Sequence, residues 1–154
     1  MKPKKLFAGL AAAIVAVLAA GYFAFAAGDL SKAVLHTKGG DREIMVELAL
    51  TPDQREVGLM NRSHMPQDQG MLFRFDETRN VAMWMKNTLI PLDMLFIDES
   101  GEVLTIKTNA QPLSLDIIPS GQPVRYVLEL NGGAAMRYGV SIGDRLEHEV
   151  IPPA

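Results

Sequence analysis

The residues best suited to chemistry fall in two sets. Around the only tryptophan, Met83-Trp84-Met85-Lys86-Asn87-Thr88 gathers two thioethers, a flat aromatic face, a cation and an amide in one short run. The second set consists of carboxylates placed where apolar residues are usual: Asp93 inside Leu92-Asp93-Met94-Leu95-Phe96-Ile97, and Glu129 inside Val127-Leu128-Glu129-Leu130. Carboxylates are depleted in buried strands, so each needs a partner. Arg55 and Arg62 flank Gly58-Leu59-Met60, and guanidinium forks from them meet that need. Arg55, Arg62, Trp84, Lys86, Asn87, Asp93 and Glu129 therefore outline a polar pocket for a small anionic or hydroxylated ligand. In it the arginines hold an anionic group, Trp84 stacks, and the two acids fix the basic residues. The plainer account of the same residues is one or two buried ion pairs that orient loops.

Two other chemistries stay open. Asp93 and Glu129 would form the carboxylate pair of a hydrolytic enzyme if held roughly 5 to 10 Å apart. Met60, His64, Met65, Met83 and Met85 are ligand types that select Cu(I), with Trp84 covering the ion, against the simpler role of methionine as core filler. No G-x-S-x-G surrounds a serine, and His36, His64 and His148 are too widely spaced for a metalloprotease helix. His36 and His148 read as surface histidines near strand ends. Gly39-Gly40 and Gly132-Gly133 lack the downstream residues of phosphate or dinucleotide loops and read as turns. Nothing nominates a nucleophile, a general base or a cofactor, so binding is expected over catalysis.

Composition narrows the setting. The chain of 154 residues contains no cysteine, which excludes disulfides, thiolate zinc sites, iron–sulfur clusters and thiol nucleophiles. Lys2, Lys4 and Lys5 precede an uncharged run from Leu6 to Ala27 that ends in Ala24-Phe25-Ala26 before Gly28-Asp29. That is the pattern of a signal peptide. The run is also long enough, at roughly 20 residues, to remain as an N-terminal membrane anchor. Either way the rest of the chain is expected on the periplasmic or extracytoplasmic side, touching the membrane only through this segment. Without the leader's three lysines, 15 − 3 = 12 basic residues stand against 18 acidic ones, a balance of −6. The basic residues are scattered, so nucleic acid is not an expected partner. A small molecule or an envelope protein is. Residues 28–154 carry no repeat or low-complexity break and are expected to form one domain.

The elements that must position these residues are mostly strands. Arg42 to Leu50 alternates, with Ile44, Val46, Leu48 and Leu50 on one face. Thr51-Pro52-Asp53-Gln54 carries a capping residue, a first-turn proline and a Gln three residues on, so a short helix is expected to run to about Met60. Gly70 to Phe75, Val81 to Met85 and Leu92 to Ile97 have the composition of buried strands. Asp98-Glu99-Ser100-Gly101 then turns into Val103 to Lys107, a hairpin. Val124 to Leu130 is a strand after the turn at Pro119 to Gln122, Ala134 to Tyr138 is a short helix stopped by Gly139, and Arg145 to Ile151 is a last strand. The expected fold is mainly β with one or two short helices (α+β), a largely antiparallel barrel or sandwich.

Four blocks in order carry a resemblance: Arg55-Glu56-Val57-Gly58-Leu59-Met60-Asn61-Arg62; Gly70-Met71-Leu72-Phe73; Trp84-Met85-Lys86-Asn87-Thr88 with Pro91-Leu92-Asp93; and Val127-Leu128-Glu129-Leu130 with Gly132-Gly133. Together they resemble the domain of unknown function 192 family, over about Val46 to Val150. The resemblance implies a small, often exported, β-rich domain and brings no established activity.

Overall fold

The computed structural model describes residues 29–153, so the leader expected over residues 1–27 lies outside the described residues. Strand β1 (Ser31–Thr37) pairs antiparallel with β2 (Gly40–Ala49), from Ser31 opposite Val46 to Thr37 opposite Gly40. The sequence does not announce β1, because its apolar residues Ala33, Val34 and Leu35 are consecutive instead of alternating. Pairing with β2 buries Ala33 and Leu35 and makes it a strand.

Helix α1 (Pro52–Val57) follows. Thr51 accepts a hydrogen bond from the Gln54 backbone N–H, and the Gln54 side chain accepts from the Thr51 N–H, which completes the capping box. The helix stops short of the expected Met60 because Gly58 takes φ 46 and ψ −129, outside the helical region. So short a helix is marginal by itself. Thr51→Ala should cost about 1 kcal/mol, read as a lower urea midpoint at unchanged slope.

The remaining elements are β3 (Gln69–Arg79), β4 (Ala82–Met83), β5 (Leu92–Ile97), β6 (Val103–Ala110), β7 (Ile118–Pro119), β8 (Val124–Asn131), α2 (Ala134–Tyr138) and β9 (Arg145–Glu147). Seven strands form one sheet in the order β6-β5-β8-β3-β2-β1-β9, and β4 pairs separately with β7. All neighbours are antiparallel except β2 and β3. The β5–β6 hairpin forms where expected, with Asp98 Oδ1 accepting from the backbone N–H groups of Ser100 and Glu102, both at 2.8 Å.

Two expected strands are shorter than the sequence suggests. Of Val81 to Met85 only Ala82 and Met83 pair, against Pro119 and Ile118. The last strand ends at Glu147, because the Val150 N–H donates to His148 Nδ1 and the Ile151 N–H to the His148 carbonyl, which turns the chain. His148 itself departs from the expected surface position. It is buried, with its other ring nitrogen 2.8 Å from Ser31 Oγ, and burial lowers its pKa. His36 does stay near the surface at its strand, between Asp41 and Glu147.

The sheet curls until its outer strands meet at one corner, where Glu102 bridges Arg145 and the Leu146 N–H donates to the Gly101 carbonyl. The result is a half-barrel and one domain. One core fills the curl, with Leu35, Ile44, Val46, Leu72, Leu95, Leu128 and Leu146, and Ala134 and Ala135 of α2 close onto it. A second core lies on the other face, with Leu59, Met71, Phe73, Met85, Met94 and Phe96. The parallel β2–β3 pair explains the second core, since parallel neighbours need a connection that crosses the sheet. That connection, α1 and residues 58–68, brings Leu59 and Met65 over the outer face. Residues 80–91 and 111–120 cover the rest, stitched by Met85 N–H to Ser114 O and Leu113 N–H to Thr88 O.

Candidate functional site

Glu129 stands in the middle of this covered outer face. On β8 it lies directly opposite Met71 of β3 and Met94 of β5, and Met71 in turn lies opposite Glu47 of β2. Cross-strand partners share a face, so Glu47, Met71, Glu129 and Met94 form one row across four neighbouring strands. The strands pack closely there: a Cβ on Gly70 would sit 2.6 Å from the Glu129 carbonyl oxygen. The Glu129 side chain is only 4% exposed and has no hydrogen-bond or ion-pair partner among the described residues. Among the described residues no fully sealed side-chain oxygen or nitrogen lacks a partner, so its carboxyl must reach open space. That space is a cleft of about 310 Å³, which Glu129 lines from below.

The cleft runs between the crossover and the Trp84 loop. Arg55, Glu56 and the Gly58 to Met60 turn form one wall, Phe73, Phe75 and Arg79 of β3 the back, and Met83, Trp84, Lys86 and Thr88 the other wall. Arg55 is held in place: Nη1 donates to the carbonyls of Leu50 and Arg74 at 2.7 and 2.8 Å, and Nη2 reaches Asp76 at 3.0 Å. Arg79 lies over the Phe75 ring at 5.2 Å, and Lys86 Nζ over the Trp84 ring at 5.1 Å. Neither Arg79 nor Lys86 has a carboxylate partner among the described residues. Burial alone pushes Glu129 up to about 8, so its carboxyl is largely protonated at neutral pH.

Of the seven residues expected in one pocket, the structure brings together Arg55, Trp84, Lys86 and Glu129. Arg62 is outside the lining, in a bidentate pair with the buried Glu47, which raises its pKa. Arg62→Ala removes that fork and should cost about 2–3 kcal/mol, seen as a lower melting temperature. Asn87 is exposed beyond the cleft with φ 53; its carbonyl accepts from the Asn61 N–H, and its amide points to Met60 Sδ at 3.8 Å. Asp93 lies opposite Leu130 and so faces the curl, away from Glu129. Its oxygens accept from the backbone N–H groups of Asn109, Gly133 and Ala135 at 2.8, 3.0 and 2.8 Å. Asp93 therefore ties β6 to the start of α2, and the sheet separates it from Glu129, so the two cannot act as a carboxylate pair.

The methionines are divided as well. Met60 and Met83 line the cleft, Met65 and Met85 are packed in the core, and His64 is exposed outside the lining. Arg79 was not legible as a site residue, because only the length of β3, which runs well past Phe75, brings it to the cleft. Met71 and Met94 gave no sequence signal either, since their relation to Glu129 is one of register.

Fold and site together define a half-barrel domain with a roofed cleft on its outer face. The chain belongs to the domain of unknown function 192 family, described as an uncharacterised family, whose model matches residues 33–148. A crystal structure from Sinorhizobium meliloti 1021, of a protein provisionally named a transcription regulator, is 55% identical, with a TM-score of 0.76 over 79% of this chain and 95% of that one. One from Novosphingobium aromaticivorans DSM 12444, of a protein of unknown function, is 32% identical, with a TM-score of 0.78 over 81% and 89%. No curated protein matches.

Proposed function

We propose that the protein is an exported binding module of the cell envelope whose outer cleft holds a small polar ligand carrying an anionic or hydroxylated group. The observation that carries this reading is the buried Glu129 carboxyl, without a partner among the described residues, at the floor of a cleft whose rim holds the cations Arg79 and Lys86. A carboxyl there gains nothing from the fold and costs desolvation, which makes sense if a ligand supplies its partner. Trp84, 41% exposed at the rim, offers a flat face for the ligand. Export is supported by the basic, apolar and small-residue order of residues 1–27. The name of the Sinorhizobium relative does not carry DNA binding to this chain, because the acidic balance and scattered basic residues lack the clustered cationic face a duplex requires.

A thermal-shift screen of the full-length protein against carboxylated and phosphorylated metabolites, short sugars and Cu(I) under reducing conditions tests the reading. A ligand at about a hundred times its dissociation constant adds about 2.7 kcal/mol to stability. The expected result is a shift with a carboxylate, phosphate or sugar that disappears in Lys86→Ala or Arg79→Ala. A shift with Cu(I) that Met83→Ala removes, or no shift with any compound, overturns it.

A further inference from the structure

We infer that the ligand of this cleft is a zwitterion, with an amino group that reaches down to Glu129 and an acidic group that stays at the rim between Arg79 and Lys86. The inference rests on the binding reading above and assigns the chemical class of ligand. Three features of the cleft lead to it. The floor presents a carboxyl that no cation or N–H of the described residues meets. The rim presents the opposite charge, two cations without carboxylate partners among the described residues. Between them lie Phe73, Phe75 and Met83; the Phe75 ring already carries Arg55 at 5.5 Å and Arg79 at 5.2 Å, which leaves Phe73 as the aromatic surface for an ammonium group.

An anion alone satisfies the rim and meets the floor only as the acceptor of one hydrogen bond from the protonated Glu129 carboxyl, without charge pairing there. An ammonium alone satisfies the floor and leaves the rim unmet. A molecule with both charges at its two ends answers the whole site, and because Glu129 is only 4% exposed an ion pair there is screened less than one at the surface.

Proton bookkeeping follows from the same contact. Burial keeps Glu129 protonated near neutral pH, so an arriving ammonium displaces that proton to solvent and pairs with the carboxylate. The groups facing Glu129 on its own sheet, Met71 and Met94, do not titrate. From the cleft walls the charged groups are Arg55, Arg79, Lys86 and Glu56, the other carboxylate of the lining. Affinity for a zwitterion should therefore rise with pH, by about tenfold per unit, and level off near the pH at which free Glu129 ionises.

Calorimetry of the full-length protein with straight-chain amino acids bearing the amine at the far end, their N-acetyl derivatives and the matching hydroxy acids decides the matter. The expected result is binding of the amino acids, at least about tenfold weaker binding of both counterparts, proton release that scales with buffer ionisation heat, and loss of the pH dependence in Glu129→Gln. A separate melting curve establishes that this variant is folded. Equal or tighter binding of hydroxy or N-acetyl acids, weakening as pH rises, overturns the zwitterion while leaving a binding cleft. Failure of all three series while a phosphate or sugar binds in the wider screen does the same. Failure of every compound in both experiments removes the binding reading itself.

Discussion

Glu129→Gln is expected to make the protein more stable than the natural sequence above about pH 6, with the gap widening towards pH 8. The sign comes from linkage. In the unfolded chain the carboxyl ionises near 4.5, but burial pushes it to about 8 in the folded protein. Below 4.5 both states hold the proton and the shift costs nothing. As pH rises between these values only the unfolded state releases it, so stability falls. At about 1.4 kcal/mol per pH unit the loss by pH 8 is on the order of 4 kcal/mol, a large part of a typical domain's total stability. Gln has a similar shape and no charge to release, so it removes the slope. Urea unfolding of both proteins at intervals from pH 5 to 9 reads the effect. A difference between them that stays constant with pH would show that Glu129 is not buried as an acid. His148, whose pKa burial lowers, acts in the opposite sense as pH falls below 6.5, but it is common to both proteins and cancels in the comparison.

Asp93→Ala should have the opposite effect on stability. Asp93 is fully buried and is the acceptor for three backbone N–H groups, from Asn109, Gly133 and Ala135. Its removal leaves these donors without their partner and opens a cavity beside α2. Unmet buried donors cost about 1–3 kcal/mol each, and a total of about 4 kcal/mol, or roughly 10–20 °C in melting temperature, is expected. Helix α2 and the end of β6 should lose protection first in hydrogen exchange. An Asp93→Ala protein that melts like the natural one and binds ligand less tightly would mean that Asp93 belongs to the site after all.

These two acids looked alike in the sequence, and the contrast shows what was legible. Each is a carboxylate inside an apolar strand run, and that pattern marked both as residues in need of a partner. Which partner each has depends on face. Strands alternate sides, and the pairing of Met94 with Glu129 and of Asp93 with Leu130 turns one towards the cleft and the other into the curl. The same limit applies to the arginines. Arg55 and Arg62 were both expected to face Asp93 and Glu129; Arg55 lines the cleft, while Arg62 meets Glu47, on the β2 face opposite to Ile44, Val46 and Leu48. Glu47 is buried because the β2–β3 crossover roofs that face, and no local alternation carries that information.

By itself the sequence determined what local physics controls. Alternation set the β2 faces, the capping box started α1 after Thr51, Asp98 to Gly101 closed the β5–β6 hairpin, and Gly139 ended α2. Those signals depend on neighbours a few residues apart. The strand order, the parallel β2–β3 pair, the meeting of β6 with β9, and the assembly of Trp84, Lys86, Arg79 and Glu129 around one cleft were decided only by the tertiary structure. Each depends on registers between segments far apart in the chain, and those registers are chosen by burying both faces of the sheet at once.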